Sequence, residues 1–339
     1  MSLLGIDVGT SGCKATALSA EGATLATAYR EYDVVRPQPG WAELDSRAVW
    51  GKIQDVIAEV AAQTRHDPIV SLCVSSMGEA MTPVSAAREI LGNCIMGFDA
   101  RGAETVARLE QMDPIELYEI TGNVPAGLFA GPKLVWQRDN RPDLFARTDK
   151  FLGWAGLVIY MLGCDPVIDY SLANRTLLFD LRAATWSQTL LDWVGLPAEK
   201  LPTPVPSGSV VGEVSDAVAA RLGLPRGVKV VAGAHDQCAS AVGAGVTRAG
   251  DGGLRPGDVH PHHANLRPHP ARRKDGVDQA EHRAPRAAGA VRELLLQPDR
   301  RRAAQVVPRH LRAAGEGGGA GARRGRVRPA ARRDAPGAD

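Results

Sequence analysis

The first 250 residues predict an α/β protein, and three observations lead to this prediction. Short apolar runs at 3–8, 14–18 and 23–29 are separated by turn residues, which indicates three antiparallel strands. A long run with apolar residues at helical spacing follows. Another apolar run, at 69–74, then suits a buried strand. Strands followed by a helix and a strand parallel to the first are typical of an α/β fold.

The individual elements follow from the same patterns. Asp45 precedes the long helical run, and the residues after strand 69–74 predict a loop at 75–79. Pro132 begins another helix. A second buried strand at 228–232 leads through Gly-Ala-His to a helical stretch that starts at Asp236.

Composition divides the chain near residue 250. Residues 1–250 hold 21 basic and 28 acidic residues, whereas residues 251–339 hold 19 basic and 10 acidic residues and none of the 16 aromatic residues. A stretch with so few large apolar side chains cannot bury enough surface to offset the entropy lost on ordering. We therefore expect one domain over residues 1–246 and a disordered tail, rich in Arg, Ala, Gly and Pro, over residues 247–339.

The cysteines and the amino terminus indicate a cytoplasmic protein. The five cysteines form no CxxC pair, which favours reduced thiols over a disulfide framework or a zinc site, and each is interpreted as a small buried apolar residue. Asp7 comes too early for the apolar region of a signal peptide, and no apolar run approaches the ~18 residues that a membrane span needs. We expect no membrane partner.

The segment DVGTSGCK at 7–14 is the first candidate site. Asp7 at the end of a strand can hold Mg²⁺ directly or through water, and the following turn exposes amides that can bind phosphate oxygens. Lys14 adds a positive charge. The segment lacks the spacing of a Walker A loop, and it leads into a strand where a dinucleotide fingerprint would open a helix. A plain hairpin turn is the alternative.

Two further segments carry carboxylates near strand ends. Asp236 could accept the proton of a substrate hydroxyl during phosphoryl transfer, although an Asp at a helix start is also an ordinary cap. The loop SSMGE at 75–79, with Asp99 and Arg101 further on, could grip sugar hydroxyls. Solvated loop residues are the alternative.

Taken together, several segments resemble the FGGY family of carbohydrate kinases over residues 2–249. They are DVGT at 7–10, PKLVW at 132–136, DYSLANRT at 169–176, PSGSVVG at 206–212 and GAHDQ at 233–237. The resemblance implies an actin/hexokinase-like ATPase fold with two ribonuclease-H-like domains. It also implies that the first domain and the cleft bind sugar, while the second domain binds most of the ATP.

The resemblance also assigns roles by position. Asp236 looks like the general base, and Asp7 looks like the carboxylate on the magnesium side. The phosphate loop corresponds to Gly9, Thr10, Ser11 and Lys14, and the sugar-contacting residues correspond to Met77, Gly78, Glu79, Asp99, Asp236 and Gln237. The chain looks most like xylulokinase-type members, yet it has Gly78 where those carry His, so the sugar stays open.

The tail has features of a shifted reading frame. One permitted codon path for residues 251–264, read one base later, gives a strand-like peptide with the Gly-Thr turn that the family has there. We therefore hypothesise a frameshift near residue 250, with the second domain essentially missing. The alternative is a nucleic-acid-binding tail, but its arginines are interleaved with acidic residues and proline and no aromatic residue is present for base stacking. We expect no nucleic-acid partner.

The function implied by the resemblance is transfer of the ATP γ-phosphoryl group, with Mg²⁺, to a hydroxyl of a ketose or polyol. The expected partner is a small sugar or polyol, and homodimer formation is left open. A chain without its second domain is expected to have impaired activity. Two alternatives remain: a non-catalytic sugar-binding or regulatory module, and an ATPase of the actin or chaperone kind. The latter does not account for the segments at 132–136 and 233–237.

Overall fold

The computed structural model of the protein describes residues 1–246. The predictions of a disordered tail and a shifted reading frame at 247–339 lie outside the described residues. The strands are β1 (Ser2–Val8), β2 (Gly12–Ser19), β3 (Thr24–Glu31), β4 (Glu43–Leu44), β5 (Ile69–Ser76), β6 (Met81–Val84), β7 (Cys94–Ile95), β8 (Lys150–Gly153), β9 (Val167–Asp169), β10 (Phe179–Asp180), β11 (Thr185–Trp186), β12 (Thr203–Val205), β13 (Val210–Glu213) and β14 (Lys229–His235).

The helices cover the sheet and connect its strands. They are α1 (Ser46–Gln63), α2 (Ala103–Leu109), α3 (Pro114–Thr121), α4 (Ala130–Asn140), α5 (Pro142–Arg147), α6 (Trp154–Met161), α7 (Tyr170–Asn174), α8 (Gln188–Val194), α9 (Asp216–Leu222) and α10 (Asp236–Gly243). None of the helices in this described part combines the length and apolar character that a membrane crossing requires.

A six-stranded mixed sheet forms the centre, in the order β13-β14-β5-β1-β2-β3. Strands β1, β2 and β3 are antiparallel, β5 and β14 run parallel to β1, and β13 is antiparallel to β14. The α/β prediction is therefore confirmed. Because β1, β5 and β14 are parallel, their carboxyl ends lie at the same edge of the sheet and bring the predicted site segments together there.

Each face of the sheet has a different environment. Burial alternates along β1: Leu4, Ile6 and Val8 are buried, whereas Leu3 and Asp7 are exposed. Helix α1 covers the buried face, and seven of its apolar residues are buried along one side. The predicted site residue Asp7 consequently lies on the open face, where a ligand can reach it.

The predicted helix start at Asp45 is confirmed. The Asp45 carboxylate accepts hydrogen bonds from the amides of Arg47 and Ala48 at 3.1 and 3.0 Å, which satisfies two of the free amides at the helix start. The other predicted helix begins earlier than expected, at Ala130. Its first amides donate to the carbonyls of Arg175 and Thr176, so tertiary contacts extend the helix two residues before Pro132.

Strands β5 and β14 continue into segments that the sequence predicts as connections. Ser75 and Ser76, predicted as loop, belong to β5 because they pair with Asp7 and Val8 of β1. Strand β14 runs to His235 instead of ending at 232. Gly233 allows this extension, since a Cβ at that position would lie 2.1 Å from the Val74 carbonyl oxygen of the neighbouring strand.

Candidate functional site

A cavity of about 530 Å³ lies on the open face of the sheet, between β1, β2, β5, β14 and α10. Three predicted site residues share it: Asp7, Lys14 and Asp236. Ser75, Ser207, Gly208 and Ser240 contribute polar groups to its wall. The structure therefore brings the Asp7 segment and the Asp236 segment, 229 residues apart in the chain, to one site.

Asp7 and Lys14 face each other across the β1–β2 hairpin. They are directly paired in the register of the two strands, where side chains on one face interact. Partial burial raises the pKa of the Asp7 carboxyl, and the nearby Asp236 carboxylate raises it further, while Lys14 opposes both effects. Two carboxylates therefore share this cavity, an arrangement that a bound cation would stabilise.

The hairpin tip between β1 and β2 holds the remaining phosphate-loop candidates. The Gly9 amide donates to the Gly12 carbonyl at 2.9 Å, and the Tyr32 hydroxyl donates to the Gly9 carbonyl at 2.7 Å. Thr10 and Ser11 are exposed at the tip and are not part of the cavity wall. Their phosphate-binding role stays a prediction.

Asp236 is the first residue of α10 and is half-buried at the end of β14. Its Oδ1 accepts a hydrogen bond from the Gln237 amide at 2.6 Å and lies 3.2 Å from His235 Nε2. The helix cap position is His235, and the Asp236 side chain makes no bond to the following turn beyond Gln237. Burial raises the Asp236 pKa, while the Gln237 amide and Arg175 oppose the rise. The Gln237 side chain is exposed.

The predicted sugar loop, Met77–Glu79, follows β5. The Met77 side chain is buried in the core, and its amide donates to the Val8 carbonyl at 2.9 Å. Gly78 is buried. Glu79 has a φ of 58°, a conformation that few residues other than glycine adopt, and its carboxylate accepts a hydrogen bond from Arg175 Nε at 2.6 Å.

Sequence reasoning missed two residues of this cluster, Arg175 and His235. His235 Nε2 contacts Asp236, and Arg175 pairs with Glu79. Burial lowers the His235 pKa, Glu79 raises it and Arg175 lowers it. Both residues lie inside the family-like segments 169–176 and 233–237. A polar or charged side chain within such a segment is the sequence feature that could have identified them.

Lys133 supports the loops beside Glu79. It is buried on α4, and its Nζ donates to the carbonyls of Gly97 at 3.1 Å, Phe129 at 3.3 Å and Gly127. Burial lowers the Lys133 pKa to about 8, although Asp99 and Glu79 oppose that change. The lysine of the PKLVW segment therefore links three backbone carbonyls and stabilises the loops that contain them.

Asp99 lies apart from the cavity in a buried ion network. Its side chain is fully buried, and Arg101 donates to both of its oxygens at 2.9 and 2.6 Å. Arg101 also donates to Glu43 at 2.7 Å. Burial alone would raise the Asp99 pKa, but the bonds from Arg101 and the Ala42 amide outweigh it and lower the pKa. Hydroxyl binding by Asp99 stays a prediction that this geometry does not favour.

The donor set at the cavity fits Mg²⁺. Among residues 1–246 there is no group of three or more His, Cys, Asp or Glu side chains that could hold a metal ion alone. Mg²⁺ usually keeps several waters and binds one or two carboxylates together with substrate phosphates. Asp7 and Asp236 supply carboxylates of this kind on one cavity.

Comparison with known proteins agrees with this geometry. Residues 2–243 match the model of the amino-terminal domain of the FGGY family of carbohydrate kinases. The chain is 29% identical over 246 residues to a xylulose kinase of Escherichia coli and 30% identical over 262 residues to a glycerol kinase of Chromobacterium violaceum. These alignments cover 73% of this chain and 50% and 51% of the two relatives. The chain thus spans about half the length of the curated relatives it matches.

Solved structures show the same fold. A xylulose kinase from Rhodospirillum rubrum superimposes with a TM-score of 0.69 at 29% identity, covering 73% of this chain and 51% of that chain. A xylulose kinase from Lactobacillus acidophilus superimposes with a TM-score of 0.68 at 24% identity, covering 73% and 50%, which supports the fold alone. The predicted actin/hexokinase-like α/β fold is confirmed, and the chain belongs to the FGGY family of carbohydrate kinases.

Proposed function

We propose that this chain provides the sugar-binding half, over residues 1–246, of an ATP-dependent carbohydrate kinase. The carrying observation is that Asp236 shares one cavity with Asp7 and Lys14. A kinase needs a base near the accepting hydroxyl and cationic groups near the transferring phosphoryl group. These three side chains supply the base, a magnesium-side carboxylate and a cation.

In this proposal Asp236 accepts the proton of the sugar hydroxyl as that hydroxyl attacks phosphorus. The recorded contacts of Asp236, from Gln237 and His235, both go to Oδ1, so Oδ2 is the oxygen that can meet the hydroxyl. Asp7 would hold Mg²⁺ through its carboxylate or a water, and Mg²⁺ supplies charge stabilisation for the phosphates. Lys14 and the amides of Thr10 and Ser11 would contact phosphate oxygens.

The charges near Glu79 support a neutral, hydroxyl-rich substrate such as a ketose or polyol. Glu79 and Arg175 neutralise each other, and the lowered pKa of His235 keeps its ring neutral at pH 7. Asp236 is then the uncompensated charge, and its negative sign would repel an acid. Curated relatives named xylulose kinase and glycerol kinase agree with this inference.

Calorimetry with the 339-residue chain tests the proposal. We expect D-xylulose or glycerol to bind, gluconate to bind at least about tenfold more weakly, and Asp236→Asn to lose most of the affinity. His66→Asn is the control, because His66 is exposed and does not line the cavity. This variant should bind like the parent chain. Failure of all neutral polyols to bind would contradict the proposal.

A second candidate is a non-catalytic sugar-binding module, since a sugar would bind beside Asp236 in either case. A phosphorylation assay with Mg²⁺ and ATP separates the two. Turnover that disappears in Asp236→Asn supports the kinase. Because a chain without its second domain is expected to turn over poorly, Mg²⁺–ATP binding that weakens in Asp7→Asn also supports it, whereas sugar binding without any ATP binding supports the module. Residues 247–339 enter both experiments as part of the full chain.

A further inference from the structure

The loop after β5 contains a strained turn centred on Glu79. The Ala80 amide donates to the Gly78 carbonyl at 2.6 Å, so the chain reverses within three residues, and Glu79 has a φ of 58°. Three-residue turns with a positive central φ are rare and strained. Such a conformation persists only where surrounding contacts hold it, and it is enriched at ligand sites.

Arg175 makes the contacts that hold this turn. Its Nε donates to Glu79 Oε1 at 2.6 Å, and its terminal nitrogen pairs with the same oxygen. The guanidinium also lies over the Phe129 ring, with its carbon 4.8 Å from the ring centre. A planar guanidinium held on one side by a ring and on another by a carboxylate has little freedom to turn.

The other Glu79 oxygen, Oε2, points toward Gly97. A Cβ placed on Gly97 would lie 3.5 Å from Oε2. Both recorded bonds from Arg175 go to Oε1, which leaves Oε2 as an acceptor for another donor. A sugar hydroxyl is such a donor.

Gly78 lets Arg175 come this close to the turn. A Cβ on Gly78 would lie 3.0 Å from Arg175 Cγ and 3.1 Å from His235 Nε2. These distances are tighter than ordinary van der Waals contact, so a side chain at 78 would push both groups away. The absence of a side chain at 78 therefore allows Arg175 to contact the loop and His235 to reach Asp236.

We propose that Arg175 is a positioning residue for the predicted sugar loop, Met77–Glu79, because it fixes the strained Glu79 turn so that Oε2 stays available to a substrate hydroxyl. The inference rests on the proposed function only for the identity of the ligand. In this proposal Arg175 acts through Glu79, to which its Nε and one terminal nitrogen are bound.

The test compares Arg175→Gln and Arg175→Lys with a control, Arg182→Gln, in the full 339-residue chain. Arg182 is also an arginine beside a glutamate, but its pair with Glu119 is exposed and 3.9 Å long. Backbone chemical shifts at Glu79 and Ala80 report the turn without any ligand. Calorimetry with D-xylulose and glycerol reports the pocket, and urea unfolding reports the stability of the fold.

We expect the Glu79 shifts of Arg175→Gln to leave their left-handed values and polyol affinity to fall on the order of tenfold, since a charged hydrogen bond is lost. Arg175→Lys keeps the charge but not the planar two-nitrogen contact, so we expect an intermediate loss. The control variant should change neither quantity. The urea midpoint should differ little among the folded variants.

Glu79 shifts that stay left-handed in Arg175→Gln would overturn the proposal, as would unchanged polyol affinity in a parent chain that binds polyols. A loss of gluconate binding alone would make Arg175 a direct anion ligand and would also overturn it. If the parent chain binds no polyol, the proposed function fails while the shift comparison still decides the role of Arg175. Should Arg175→Gln not fold, Arg175→Lys decides the question: Glu79 shifts that stay at the parent values in that variant would overturn the proposal.

Discussion

The Asp99–Arg101 loop and the His235–Asp236 junction each present a carboxylate that the sequence predicts to bind sugar, but their surroundings are opposite. Asp99 is fully buried, and Arg101 and the Ala42 amide bond both of its oxygens. Asp236 is half-buried, its recorded contacts use one oxygen, and it faces a cavity. A carboxylate whose acceptors are all used holds structure together, whereas one with a free acceptor at a cavity can act on a ligand.

Removing Arg101 should have the largest effect on stability. Arg101→Leu would leave Asp99 buried without its cation and Glu43 with only the Arg141 guanidinium at 3.8 Å, and breaking a buried ion network in this way costs about 3–5 kcal/mol. Asp236→Asn should change the free energy of unfolding by less than about 0.5 kcal/mol, since Asp236 faces a cavity. Urea unfolding followed by tryptophan fluorescence measures both. Equal losses in the two variants would remove the contrast between the regions.

Asp169 sharpens the comparison, because it is buried like Asp99 but pairs with no cation among residues 1–246. Its Oδ1 accepts bonds from the Ser171 amide and hydroxyl, the Leu172 amide and the Ser207 hydroxyl. Burial outweighs these bonds and raises the Asp169 pKa to about 6. The folded protein therefore holds a proton that the unfolded chain releases at lower pH.

The stability from Asp169 should be present below pH about 4 and should be lost as pH rises to about 6, a change of about 3 kcal/mol at most. Asp169→Asn keeps an acceptor oxygen and removes the titration. We expect the difference in free energy of unfolding between parent and Asp169→Asn to move in favour of the variant as pH rises from 4.5 to 7. A constant difference over this range would show that Asp169 is ionised throughout.

A smaller effect separates strain kept for function from strain in an ordinary turn. Ala184 has a φ of 54°, similar to that of Glu79, but it lies in the turn between β10 and β11 and takes no part in the Glu79–Arg175 contact. Ala184→Gly should relieve strain by about 1 kcal/mol and leave polyol binding unchanged. Glu79→Gly should relieve similar strain, yet it loses the bond to Arg175 and with it polyol affinity. Urea unfolding and calorimetry on both variants check this, and equal polyol affinity in the two would contradict it.

Much of the fold could be predicted, because its signals are local. The three opening strands, the Asp45 cap and the strand before Asp236 depend on residues adjacent in the chain. The missed strand ends at Ser76 and His235 depend on pairing with distant strands, which no local pattern shows.

The site could be predicted only in part for the same reason. Candidate roles for Asp7, Lys14 and Asp236 are predicted from the motifs, and the structure places the three residues on one cavity. The pairing of Glu79 with Arg175 spans 96 positions in the chain, and the burial of Asp99 depends on Arg101 and Glu43. Sequence motifs single out these charged residues as candidates, but only the folded chain determines which of them form ion pairs.

Amide shift mapping of the labelled 339-residue chain during titration with D-xylulose or glycerol tests the central contrast most directly. We expect ligand-induced shifts at Met77–Ala80 and His235–Gln237, no shifts at Asp99–Arg101, and loss of the response in Asp236→Asn. Shifts centred on Asp99–Arg101, with none at His235–Gln237, would contradict it.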